Sequence, residues 1–246
     1  MIEGVLISVG VIVLAPIVGG LLAGIDRRVT ARMQGRMGPP ITQPFLDFLK
    51  LLGKELLVSS RAQIVFAWAY LLLTVSALVL FFLGQDLLVI VFVLGFGGVC
   101  LVAGGLASRS PYSVIGSQRE IAQTLAYEPV LILYAIAAYV ATGTFSVSGI
   151  WSTERPLIVS APLLFIALLI VSLIKFRKSP FDLAASHHAH QEIVRGVFTE
   201  FSGWTLAIIE LGHWYELVLV LALVALFGGG MPLLGIALAL FALLFA

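Results

Sequence analysis

Residues Trp204–Phe227, WTLAIIELGHWYELVLVLALVALF, form an apolar run interrupted only by Glu210, His213 and Glu216. As a helix rising about 1.5 Å per residue, such a run reaches about 36 Å, enough to cross a hydrocarbon core of about 30 Å. The three ionisable residues are spaced three apart, so each successive pair shares one side of that helix. An ionisable side chain at a bilayer centre costs roughly 2.5–3.5 kcal/mol, and three so close together mark a candidate proton or ion relay. A blander reading has His213, Trp214, Tyr215 and Glu216 marking the point where the helix leaves the membrane, where tryptophan and tyrosine gather.

The whole chain shares the class of this stretch. Of 246 residues, 61% are hydrophobic and 11% charged, against about 25% charged in an ordinary soluble domain, and mean hydropathy is +1.12. The expected fold is an all-α integral membrane protein, one polytopic domain over residues 1–246. Its single cysteine, Cys100, excludes a disulfide within the chain, a CxxC zinc site and a cysteine-ligated iron–sulfur cluster. No GxGxxG, phosphate loop or nucleophile–base pair occurs, so nucleotide binding, hydrolysis and a nucleic-acid partner have no support.

Apolar runs of spanning length lie near 4–25, 62–83, 87–107, 121–142, 157–174 and 204–227, with a shorter one over 231–246. The first has no basic segment ahead of it and no small-residue cleavage pattern, and is expected to be a retained helix. With the N-terminus outside, Arg27, Arg28, Arg32, Arg36, Lys50, Lys54, Arg61, Arg109, Arg119, Lys175, Arg177, Lys178 and Arg195 fall inside and only Arg155 outside. The positive-inside rule asks for such a split and places the chain in the cell inner (cytoplasmic) membrane.

The first inside connection is broken by Pro39, Pro40 and Pro44 into a basic turn and a following helix. From Pro44 to Val58, Phe45, Phe48, Leu49, Leu52 and Leu56 recur at helical spacing, and Asp47, Lys50 and Lys54 share the opposite face. Too short to span, this helix is expected to lie in the interface plane, its apolar side in lipid or against the bundle. The fourth span carries Glu128 between Tyr127 and Pro129, a second intramembrane carboxylate. It reads either as part of the relay or as a neutral, hydrogen-bonded glutamic acid at a proline kink.

Before Trp204 lies the charged stretch Ser179–Gly203, SPFDLAASHHAHQEIVRGVFTEFSG. Its His187, His188 and His190 would diverge by about 100° per residue in a helix, which suits a polar surface facing a partner protein better than a metal site. The loops Arg27–Arg61 and Lys175–Glu200 carry more arginine, proline and histidine than topology needs, and read as docking surfaces. Candidate docking residues are Arg27, Arg28, Arg36, Asp47, Lys50, Lys54, Glu55, Arg119, His187, His188, His190 and Arg195.

Three stretches together resemble a known family: Gln34–Glu55 (QGRMGPPITQPFLDFLKLLGKE), Gly116–Glu128 (GSQREIAQTLAYE) and Ser179–Gly203. They are similar to subunit 1 of respiratory complex I and its relatives in membrane-bound energy-converting hydrogenases. The resemblance implies the heel that joins a peripheral redox arm to an ion-pumping arm, with no cofactor of its own. It implies an ion pathway starting at Asp182, Glu192, Glu200 and Glu210, with Glu128 on the fourth span; spacing adds His213 and Glu216. Partners would be hydrogenase-like large and small redox subunits on the cytoplasmic side, carrying a nickel–iron centre and iron–sulfur clusters, and antiporter-like membrane subunits.

Two departures from complex I resemble the nickel–iron branch that takes electrons from ferredoxin. The loop Gly38–Gln43 is shorter, and AASHHAH follows PFDL where complex I has PEAE. Relatives usually have eight spans where seven are offered here. The expectation is therefore a ferredoxin-linked energy-converting hydrogenase subunit coupled to movement of H+ or Na+. Its alternatives are the quinone-site subunit of an NADH or ferredoxin dehydrogenase, a purely structural membrane anchor, and a stand-alone transporter, the last lacking any internal repeat.

Overall fold

A computed structural model describes residues 2–57, 60–178 and 196–245, and all its regular elements are helical. Five helices are long and apolar enough to cross a membrane: α1 (Ile2–Met33), α3 (Arg61–Phe82), α4 (Leu87–Ala107), α5 (Pro111–Thr142) and α10 (Gly203–Ala225), the last extended by a 3₁₀ turn at Leu226–Gly228. Two shorter apolar helices, α8 (Pro162–Lys175) and α11 (Pro232–Phe245), complete the seven expected segments. The remaining helices are the amphipathic α2 (Gln43–Leu52) and three short pieces, α6 (Val147–Trp151), α7 (Leu157–Ser160) and α9 (Gly196–Thr199).

Local chemistry explains the boundaries. Ser60 and Gln63 form a reciprocal capping box at the start of α3, and the Asp86 carboxylate accepts from the backbone N–H groups of Leu88 and Val89 at the start of α4. The turn between these helices is short, so they run antiparallel, and Ala77, Leu78 and Phe81 of one and Leu87, Ile90, Val91 and Leu94 of the other are buried in the core. The expected single span over 157–174 is broken instead. Pro162 disfavours helical geometry at Ala161, which stands at φ −141° and ψ 61°, and α7 and α8 meet there as separate pieces. The amphipathic helix is likewise shorter than expected, ending at Leu52 with Gly53 as its cap, so Lys54 lies beyond it.

Helix α10 is the axis of the bundle: 67% of its most apolar stretch is buried, against 17% for α1. On α1 the buried positions are Ala15, Gly19, Gly20 and Gly24. A Cβ at Gly19 would meet the Trp214 carbonyl of α10 at 2.5 Å, and one at Gly24 would overlap the Ile41 carbonyl. These glycines therefore allow close backbone approach. Helix α2 lies across that junction, with Phe45 and Phe48 packed on Trp214 at centroid distances of 5.2 and 5.6 Å. Its Leu46, Leu49 and Leu52 remain exposed. One apolar side thus meets the bundle and another is left for lipid.

The bundle has two unlike ends. At one, Gly84 accepts from the Ser146 hydroxyl at 2.8 Å and Thr153 accepts from Gly230 N–H at 2.9 Å, with Arg155 nearby. At the other, Arg27 pairs with Asp47 at 3.0 Å, Arg177 with Glu120 at 3.4 Å and Lys178 with Asp26 at 2.5 Å. At about 1.5 Å per residue, the 32-residue α1 and α5 outreach a bilayer core and carry this second end beyond it.

Candidate functional site

Inside the basic end, α10 meets α3 and the last turn of α8 around one carboxylate. Glu216 Oε1 lies 2.7 Å from Lys175 Nζ, and Glu216 Oε2 accepts from the Tyr70 hydroxyl at 3.0 Å. The same hydroxyl stands 2.9 Å from His213 Nδ1, whereas His213 Nδ1 is 3.5 Å from Glu216 Oε2. Lys175 also lies over the Tyr127 ring, 4.2 Å from its centroid. A buried charge is tolerated when it is paired and its remaining valences are hydrogen-bonded, and this carboxylate has both.

The reading of this segment as a membrane exit fails on burial. Trp214, Tyr215 and Glu216 are 6%, 4% and 8% exposed. Tyr215 donates to the Ile12 carbonyl at 2.7 Å, in the first half of α1. Of the three ionisable residues on α10, the structure joins His213 and Glu216. Glu210 is half-buried and faces with His213 into a cavity of about 620 Å3. The cavity's charged lining is Asp26, Arg27, Asp47, Lys175, Arg177, Lys178 and Glu210, and its aromatic lining is Phe176, Phe198 and Trp214. It opens at the basic end and reaches Lys175 of the buried pair.

Glu128 lies on α5, half-buried, where the glycines of α4 make room for it. A Cβ at Gly95 would overlap Glu128 Oε1. Tyr127, next to Glu128, has its hydroxyl 3.2 Å from Thr124 Oγ1 and its ring under Lys175. Tyr127 and Glu128 are thus neighbours in sequence with different contacts, the ring against Lys175 and the carboxylate against Gly95 of α4. Glu200 is half-buried just after α9.

Of the candidate docking residues, Arg27, Arg28, Arg36, Lys50, Lys54, Glu55 and Arg119 are exposed and Asp47 is partly so. Asp182, Glu192, His187, His188, His190 and Arg195 lie outside the described residues. Two residues with central contacts escape a sequence reading. Lys175 closes an apolar run and counts there only as one more inside cation, and Tyr70 is a lone hydroxyl in an apolar helix. Their signal is the need of Glu216 for a buried partner, which names no position.

The sequence matches the NADH dehydrogenase family over residues 5–246. It is similar to an NADH-quinone oxidoreductase subunit of Thermomicrobium roseum, 34% identical with 83% of this chain and 71% of the relative covered. Against the corresponding subunit of Geobacillus kaustophilus the identity is 32%, with 89% and 71% covered. Among solved structures, a chain of the membrane-bound sulfane sulfur reductase, an archaeal respiratory membrane complex, superposes with a TM-score of 0.82 at 29% identity, covering 98% of this chain and 86% of that one.

Proposed function

Because this chain belongs to the NADH dehydrogenase family, we propose that it is the membrane subunit of a complex I-like respiratory complex that joins a peripheral redox arm to ion movement across the membrane. The observation that carries this reading is the cavity of about 620 Å3 at the basic end, walled by Glu210, His213 and Lys175, the last of which pairs with the buried Glu216. A charge change at the docked arm would be felt there first. The relay would comprise Glu128, Glu210, His213 and Glu216, with Asp182, Glu192 and Glu200 at its entrance. Redox centres would sit in partner subunits, residues 1–246 would form one polytopic domain in the cell membrane, and the N-terminus would face out.

For the electron acceptor, the name shared by the similar sequences supports a quinone over the ferredoxin-linked hydrogenase expected from the loop AASHHAH. Phe176, Phe198 and Trp214 would supply flat apolar walls for its ring, and Lys175 and Arg177 would supply donors for its carbonyl oxygens. A second reading keeps a non-quinone acceptor, favoured by the likeness to a sulfane sulfur reductase chain over 98% of this one. Purification of the intact complex, with measurement of its bound quinone, nickel content and hydrogen evolution, separates the two. Quinone reduction lost in Trp214→Ala supports the first; nickel with hydrogen evolution and no bound quinone overturns it.

A further inference from the structure

The side chains around Glu216 admit one hydrogen-bond arrangement, and it has a direction. An ionised Glu216 beside Lys175 only accepts, so the Tyr70 hydroxyl spends its single proton there. The contact of that hydroxyl with His213 Nδ1 at 2.9 Å then requires Nδ1 to carry the hydrogen and Tyr70 Oη to accept it. His213 is left with Nε2 as its basic atom, on a ring that lines the cavity. At 3.5 Å, His213 Nδ1 and Glu216 Oε2 are at the limit of a hydrogen bond, and the contacts of 2.9 and 3.0 Å through the Tyr70 hydroxyl make the shorter path.

We propose that Tyr70 is the proton bridge of this subunit and Lys175 the cation it releases. The inference rests on the reading of the chain as the ion-moving membrane subunit. A proton from the cavity binds His213 Nε2; the Nδ1 proton passes to Tyr70 Oη; the Tyr70 hydroxyl proton passes to Glu216 Oε2. The imidazole and phenol end neutral as they began, and one proton has moved from the cavity to a carboxylate that is now a carboxylic acid. Lys175 has then lost its counter-charge. Its ammonium already lies over the Tyr127 ring of α5, so the uncompensated charge is felt at that ring. Protonation at the cavity thereby becomes an electrostatic signal inside the membrane.

Among the described residues, the charges able to bias His213 are Glu210 and Glu216 on its own helix, Asp26 and Arg27 from α1, Asp47 from α2, Lys175, Arg177 and Lys178 at the end of α8, and Glu120 of α5 through its pair with Arg177. Tyr70 is the facing titratable group of α3, and α9 presents the Phe198 ring, 5.4 Å from the imidazole. A competing account makes Tyr70 a packing element only, since its ring fills the space left by Gly212, where a Cβ would collide with it.

Tyr70→Phe distinguishes these accounts, because it keeps the ring and removes the bridge. The intact complex is tested in inverted membrane vesicles, where redox turnover under an uncoupler and ion uptake per electron are measured separately. The expected result is turnover near the wild-type rate with proton delivery slowed roughly 100-fold or more, the scale of a lost proton-transfer group. His213→Asn, which keeps an N–H near the Nδ1 position but has no second nitrogen, is expected to do the same, and the double variant no worse than either single one. Wild-type ion uptake per electron in Tyr70→Phe overturns the bridge. Where Tyr70→Phe does not assemble, wild-type uptake in His213→Asn overturns it. A wild-type complex that turns over without any ion uptake overturns the functional reading, and the bridge with it.

Discussion

Lys175 Nζ and Glu216 Oε1 stand 2.7 Å apart in the bundle interior, their side chains 5% and 11% exposed. Removing one partner of a buried pair strands the other charge, at a typical cost of about 3–5 kcal/mol, whereas replacing both by apolar groups is often close to neutral. Lys175→Met and Glu216→Gln are each expected to lower the thermal stability of the detergent-solubilised complex. Lys175→Met combined with Glu216→Leu is expected to recover much of the loss while ion uptake stays abolished. A double variant as unstable as the worse single one would show that the pair is not a unit.

Gly95→Ala tests Glu128 without altering it. The new methyl group would occupy the space of Glu128 Oε1, so the carboxylate must swing away, at the cost of about 1–3 kcal/mol usual for overpacking. Ion uptake per electron is expected to fall both here and in Glu128→Gln. Gly98→Ala is the control: its Cβ would meet the Tyr127 hydroxyl at an ordinary 3.5 Å. Equal behaviour of the two alanine variants would count against a role for the position of the carboxylate.

How much of this was legible in the sequence depends on the kind of signal. Apolar length located the five helices long enough to span and the two shorter apolar ones, because a run that fills a hydrocarbon layer is apolar whatever its neighbours. Breaks within them were harder. Pro162 splits one run into α7 and α8, yet Pro16 and Pro129 sit inside continuous helices, so proline alone does not say which outcome packing will choose. The i,i+3 spacing found the contact between His213 and Glu216, since both ends lie on one helix. The partners Tyr70 and Lys175 are separated from Glu216 by 146 and 41 positions, and no local pattern reaches that far.

Docking of the peripheral arm is expected to depend on exposed charge. The Arg27–Asp47 pair has side chains 48% and 44% exposed, so it contributes at most about 1 kcal/mol to the fold and its members are available to a partner. Charge reversal at Arg28 or Arg36 should release the redox subunits at lower salt than the wild type requires, read by co-purification over a salt series. Wild-type retention at every salt concentration would remove this face as the docking surface.

Orientation follows from the same charges. Single cysteines introduced at Arg36, Arg109 and Lys178 are expected to react with an impermeant thiol reagent only in inverted vesicles, and one at Arg155 only in intact cells. The native Cys100 lies within α4 and is replaced by serine or alanine for the measurement. Labelling of the Lys178 position from the cell exterior would invert the topology.

Glu210 provides the sharpest separation between carrying charge and holding structure. It is half-buried on α10, and it lines both the large cavity and a smaller one shared with Arg27, Asp47, Lys50 and Lys54 on the α2 side. Two walls of the basic end therefore meet at Glu210 and Asp47, and of these only Glu210 stands on the helix of His213 and Glu216. Glu210→Gln preserves volume and hydrogen-bonding capacity but cannot titrate, so electron transfer with artificial donors is expected to survive while ion uptake per electron falls roughly 100-fold, as for a lost acid–base group. Glu210→Asp keeps the charge on a shorter stem and is expected to restore part of the uptake. Full uptake in Glu210→Gln would place the entry of the path elsewhere on the cavity wall, with Asp26 and Asp47 the next acids to change.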